Sequence, residues 1–301
     1  VYIAAGAFLG LVSISKGQFS ENFDSYTYGQ YIGVVGTGWT TWSGTTGGNE
    51  DAKIDTVESY SGSNSIYFNS TSANGGPQDV VLPFGGQYNV GQFNYSQAMY
   101  IPSGKGSFFN FQADQIIGTT WALDVYFSSD GNYYVSSSGS LVLTGTYPSD
   151  QWFTVTFDIN LNTNNWELLI DGVSEGSWSN AVNEIASIDI FPLNPTSVNG
   201  NNLSTFWVDD VSYTYTPYTL TARNGAAINT RFEGPVFVGN TIKPTVTVKN
   251  LGTSSITSFD LTIDYNGNQI TQSFNGLNIS SLDTYDAAFT NGIMITTGSN
   301  T

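Results

Sequence analysis

The stretch from Trp152 to Gly172, WFTVTFDINLNTNNWELLIDG, constrains the fold of this chain more than any other. Phe153, Val155, Phe157, Ile159 and Leu161 alternate with Trp152, Thr154, Thr156, Asp158 and Asn160. A period of two is the mark of a half-buried strand. Asn162 to Asn165 is a polar turn, and Trp166, Leu168 and Ile170 open a second alternating run that stops at Asp171-Gly172. The pattern predicts an antiparallel hairpin with one apolar face and one wet face.

The same rhythm runs through the rest. Ser65–Phe68, Trp121–Phe127, Ser187–Phe191 and Phe206–Tyr215 read as further strands, and clusters of Gly, Asn, Asp and Ser separate them. This is an all-β pattern. In Trp121–Phe127, alternation places Trp121, Leu123, Val125 and Phe127 on one face. After Pro217 the texture changes, because residues 218–301 contain no tryptophan. There Thr241–Asn250 and Ser258–Tyr265 alternate, and Asn266-Gly267 follows as a strong hairpin signal.

The chain has 301 residues, enough for two domains, and its 40% apolar and 15% aromatic content can fill a core. Acidic residues number 24 against 7 basic, for a net charge of −17. Few cations are available to neutralise phosphates, which argues against nucleic acid and anionic membrane surfaces. There is no cysteine and no histidine. Disulfides, zinc fingers and Ser-His-Asp or Cys-His nucleophile systems are excluded within the chain. Val1 to Gly17 is apolar and rich in small residues, with Ser15 and Gly17 at the −3 and −1 positions of a cut before Gln18. It reads as a signal peptide, and a buried first strand or an anchoring helix is the alternative. No other segment is long and apolar enough to span a bilayer.

Two resemblances sharpen this outline. W-x-x-V-x-F-D at Trp152–Asp158, running into W-x-L-L-I-D-G at Trp166–Gly172, resembles paired strands of laminin-G-like and other concanavalin A-type jelly rolls. Val246–Gly267 resembles CARDB-type, adhesion-related Ig-like modules of Bacteroidetes surface proteins. Glu21–Tyr26 and Phe206–Ser212 resemble the ends of the lectin-like module that often precedes them. The resemblance implies a jelly-roll (lectin-like) β-sandwich over 18–217 and a smaller Ig-like β-sandwich over 218–301, short of its last strands. It also implies export by the type IX route to the medium or the outer cell surface, and a sorting domain beyond residue 301 in a longer protein.

Chemistry-bearing residues fall into three sets. Glu21 and Asp24 near the first strand, and Asp209 and Asp210 on the last, meet if those strands pair. Many related sandwiches hold a structural Ca²⁺ there, and oxygen ligands suit calcium. Asp210 shares a face with Phe206 and Val208, which predicts that it points inward. The other reading is that these acids accept backbone N–H bonds. Trp39, Trp42 and Trp178, in Gly-rich or loop contexts, and Tyr133 and Tyr134 after Gly131, are candidate sugar platforms. Trp121, Trp152 and Trp166 lie in alternating strands and read more readily as core. Asn49-Glu50-Asp51, with Asp55, reads as a solvated loop. The E-x-D-x-x-E strand of laminarinase-type hydrolases is absent, and Asp51–Glu58 breaks it with Lys53. The expectation is a non-catalytic protein that serves adhesion or carbohydrate binding and takes a glycan or cell-surface ligand. Two alternatives stand beside it: an accessory region of a larger secreted hydrolase, and a structural subunit that self-assembles through β edges.

Overall fold

The structure, a computed structural model, describes residues 17–232 and 237–295. The expected leader over 1–17 lies outside them except for Gly17. From Gln18 to Thr216 the chain forms fifteen strands. They are β1 (Gln18–Glu21), β2 (Thr40–Thr41), β3 (Lys53–Asp55), β4 (Ser65–Ser70), β5 (Val80–Tyr88), β6 (Gln92–Tyr100), β7 (Ser107–Gln112) and β8 (Trp121–Phe127). There follow β9 (Asn132–Ser137), β10 (Ser140–Thr146), β11 (Trp152–Asn160), β12 (Asn165–Ile170), β13 (Val173–Trp178), β14 (Ile185–Phe191) and β15 (Ser204–Thr216).

These strands build a jelly-roll sandwich. The back sheet has the order β13-β12-β11-β6-β15-β4-β3, with β1 paired to β15. The front sheet has the order β10-β9-β8-β7-β14-β5-β2. The hairpin legible in the sequence is β11–β12, with Val155 opposite Ile170 and Asn160 opposite Asn165. β6 flanks it, so β11 sits inside the back sheet. Its Phe153, Val155, Phe157 and Ile159 all point inward and are buried. Across the core, Phe157 meets Phe111 edge-on at 5.1 Å and Phe109 at 6.1 Å. Each such ring removed from water contributes about 1.5–3 kcal/mol.

Of the register shifts in the sandwich, two bear on the expected faces. Phe111 faces Leu123, but Gln112 faces Trp121, so β8 carries one extra residue. Ala122 goes into the core and Trp121 turns outward, 42% exposed. This corrects the expectation that Trp121 shares the inner face of Leu123. The second bulge lies in β15 between Asp209 and Ser212, where Asp210 takes a φ of 47°. Inward positions are Phe206 and Val208 before it, and Val211 and Tyr213 after it. Bulges of this kind insert an unpaired residue and swap the faces of everything beyond.

The described residues beyond Thr216 form β16 (Gly225–Phe232), β17 (Thr241–Ile242), β18 (Pro244–Asn250), β19 (Ile256–Tyr265), β20 (Asn268–Ile279), β21 (Thr284–Ala288) and β22 (Ile293–Met294). The sheet β16-β18-β21 and the β19–β20 hairpin enclose a small core of Val246, Val248, Phe274, Ala287 and Phe289. Asn266 and Gly267 both have positive φ, 52° and 79°, as a two-residue hairpin turn of type I′ requires. Among the described residues no helix is long and apolar enough to cross a membrane.

The face that the β8 bulge gives Trp121 is testable by denaturation against a core tryptophan. Trp166 is fully buried, and Trp166→Ala is expected to cost about 3–5 kcal/mol. Trp121→Ala removes only an outer-face ring contact and is expected to cost at most about 1.5 kcal/mol. Comparable losses would place Trp121 back in the core.

Candidate functional site

The front sheet turns three cross-strand rows of side chains away from the core. One row runs Ser187, Gln112, Trp121 on β14, β7 and β8. The next runs Asp189, Asn110, Asp124, Ser136, reaching β9. The third runs Phe191, Phe108, Tyr126, Tyr134. Alternate residues along a strand are about 7 Å apart, so an amide and carboxylate row lies between aromatic neighbours. Phe108 and Tyr126 touch, with centroids 4.6 Å apart.

Trp42 follows β2 at the sheet's edge, yet its ring stacks on Trp121 at 6.0 Å and 29°. The strands between β2 and β8 are β5, β14 and β7. The indole pair therefore bridges the sheet from that edge to β8, and Asn110, Gln112, Ser187 and Asp189 on the strands between are buried. Asp189 is 4% exposed and Ser187 2%. The loop 113–120 closes over the same place. Gly118 donates its N–H to Gln112 Oε1 at 3.0 Å. Gly118 has a φ of 81°, and a Cβ there would meet Trp42 Cζ2 at 2.8 Å. Only glycine fits, on both counts.

Carboxylates gather at this face. Asn110 Nδ2 donates to Asp189 Oδ2 at 2.7 Å, and Gln112 Nε2 donates to Asn110 Oδ1. Asp79 and Asp189 lie in hydrogen-bonding contact. Burial first, then the Asp189 and Glu50 carboxylates, pushes Asp79 up to about 9, so Asp79 holds its proton at neutral pH, and burial pushes Asp189 up as well. Asp124 is pushed up to about 6 by burial and by Asp189. Asp79 Oδ1, Asp189 Oδ1 and Ser187 Oγ are buried with no hydrogen-bond partner among the described residues. Each of these acids comes from a different element, which is why no single-strand motif reveals them.

Of the sequence-selected platforms, Trp42 and Tyr134 lie on this face. Tyr134 Oη donates to Asp130 Oδ2 at 2.8 Å and accepts from Asn199 Nδ2 at 2.6 Å. Trp39 and Tyr133 do not lie there. Trp39 is 4% exposed and packs on Phe19 and Phe23, and Tyr133 is 1% exposed with its hydroxyl on Glu175. One residue of offset along a strand separates a platform from a core side chain. Trp178 is not in a loop. It ends β13 opposite Trp166, and its Nε1 donates to Asn180. Trp121, read from the sequence as core, is the residue that completes the face.

The four acids expected at a calcium site are occupied otherwise. β1 does pair with β15, with Glu21 opposite Val211. Glu21 accepts from Phe23 N and Tyr26 Oη, and Asp24 accepts from Ser63 N and Asn64 N. Asp209 is the buried member, not Asp210. Its Oδ2 accepts from Tyr60 N at 2.8 Å and Ser61 N at 3.1 Å, and its Oδ1 from Asp210 N at 2.7 Å. Asp210, turned by the bulge, is half-exposed and accepts from Ser61 Oγ. Among the described residues no three acidic side chains converge as a metal site needs. Asp51, read as part of a solvated loop, is buried and accepts from Gly33 N and Gly47 N.

No family model matches the chain, and no curated protein matches it. Among solved structures it is similar to a sialidase, at 11% identity and a TM-score of 0.48, over 66% of this chain and 18% of that one. It is similar to a Bacillus licheniformis β-glucanase at 18% identity and 0.42, over 67% and 99%. It is also similar to the carbohydrate-binding module CBM66 of Bacillus subtilis at 12% identity and 0.37, over 59% and 95%.

Two outcomes follow from the placement of the acids. Natively Asp79 keeps its proton up to about pH 9, whereas an unfolded aspartate loses it near pH 4. The native state holds the extra proton between those values, so this contribution to stability falls as pH rises through that window. Asp79→Asn keeps a donor for Asp189 and is expected to lose less melting temperature than the parent between about pH 5 and about pH 8. An identical pH slope would show that Asp79 ionises normally. Melts in calcium and in EDTA are expected to coincide, because backbone N–H and hydroxyl donors already bond the acids near β1 and β15. A calcium-dependent rise abolished by Asp210→Ala would restore the metal.

Proposed function

We propose that this chain is a non-catalytic, carbohydrate-binding module of an exported or surface protein, and that it binds glycan on the outer face of the front sheet. The observation that carries this reading is the stacked Trp42–Trp121 pair, Trp121 exposed and Trp42 half-buried, in the row next to Asp124. Flat indole faces suit the C–H faces of pyranose rings, and nearby carboxylate and amide groups suit their hydroxyls. Hydrolysis is disfavoured by the acids themselves. A retaining pair sits about 5 Å apart, but Asp79 and Asp189 are in contact and Asp79 is held protonated. Asp124 has no such partner, because Asn110 stands between it and Asp189.

A glycan array followed by titration calorimetry tests the reading. Trp121→Ala is expected to weaken binding by more than about 1 kcal/mol while the fold persists. Tyr60→Ala, which changes an exposed ring tilted against Trp152 of the back sheet, is expected to leave binding unchanged. Absence of binding to every glycan would overturn the proposal, and release of reducing ends would replace it with a hydrolase.

A further inference from the structure

The charge at the front face is one-sided. Asp79, Asp124 and Asp189 face outward there, and Glu50 lies beside Asp79, whose N–H it receives at 2.8 Å through its carbonyl. No strand of the front sheet contains Lys or Arg, nor do the bordering loops 42–51 and 113–120. The Glu50 carboxylate is satisfied by Ser43, and Asp189 takes Asn110. Asp124 is different. It is half-buried beside Trp121 and Tyr126 and accepts no hydrogen bond among the described residues. Ser187 Oγ, buried on the same face, also lacks a partner. A half-buried carboxylate without a cation or donor is held at a cost, and a ligand that brings both offsets that cost. The same acids do not converge as a metal site. The missing group is therefore one carried by an organic ligand that also stacks on indole.

We infer that the front face takes an amine-bearing glycan, with an ammonium group of the sugar against Asp124 and a pyranose ring on the Trp42–Trp121 pair. This rests on the glycan-binding reading and narrows it. Uronate, sialate and sulfate sugars are rejected, because each brings an anion to a face with no cation. N-acetylated sugars of the same backbone keep the stacking and lose the ion pair.

The test is titration of the protein with glucosamine hexamer, N-acetylglucosamine hexamer and hexagalacturonate at about pH 7, above the value of about 6 that Asp124 reaches and below the range in which an amine loses its charge. The glucosamine hexamer is expected to bind at least about tenfold more tightly than its acetylated form, and hexagalacturonate not measurably. Asp124→Asn is expected to remove that tenfold preference while keeping the acetylated sugar's affinity. Asp158→Asn, an exposed acid on the outer face of the back sheet, is expected to leave the preference intact. Thermal melts confirm that both variants fold, and Glu50→Gln gives a second change at the same face. Equal affinity for the two hexamers overturns the inference while leaving glycan binding in place. Equal losses in Asp124→Asn and Asp158→Asn overturn it as well, since they reduce the preference to diffuse charge. Binding of none of the three sugars, nor of any glycan on the array, removes the glycan reading itself.

Discussion

The apolar layer between the two sheets positions everything on their outer faces. Phe109 and Phe111 of the front sheet interlock edge-to-face with Phe157 of the back sheet, and Phe111 also meets Trp166 at 6.3 Å. Such packing tolerates one inward register for each strand, because a slip by one residue would expose the whole apolar set. Once 109 and 111 are inward, 108, 110 and 112 must be outward. Asn110 then has to lie between Asp189 and Asp124. The polar row is thus a consequence of the core, and it comes pre-aligned without any cost at the site itself.

Where the alternation breaks, side chains with new roles appear. The bulge in β8 takes Trp121 out of the core and delivers it to the front face. The bulge in β15 leaves Asp209 outward yet covered by Tyr60 and Ser61, where three amides hold it. Asp210 adopts the left-handed conformation there, which aspartate tolerates better than most residues. Both bulges convert a local irregularity into a change of face for a chemically distinctive residue, as bulges near functional sites commonly do.

The acids of the two faces show how context decides what a carboxylate does. Asp24, Asp51 and Asp209 each accept at least two backbone N–H bonds and act as fixed caps for loops. Asp79, Asp189 and Asp124 receive no backbone donors, so burial first, and then the charge of nearby carboxylates, favours the neutral form. The first group closes the sandwich. The second leaves an unspent electrostatic demand at an aromatic surface, which is the condition under which a ligand gains from binding.

The all-β class, the β11–β12 hairpin and the Asn266-Gly267 turn follow from the sequence alone, since period-two alternation and turn chemistry are local properties. The pairing of the first and last strands was legible too, from the motifs at Glu21–Tyr26 and Phe206–Ser212. Local pattern also singled out Trp42 and Tyr134, because aromatic residues beside Gly-rich turns stand out. It failed for Trp39, Tyr133 and Trp121, whose faces depend on parity and on a bulge that no run of residues announces. Asp79, Asp124 and Asp189 are 45 and 65 residues apart in successive steps along the chain, and no strand motif contains two of them. Only the order of β8, β7, β14 and β5 in the front sheet brings them together, because cross-strand neighbours are set by long-range pairing.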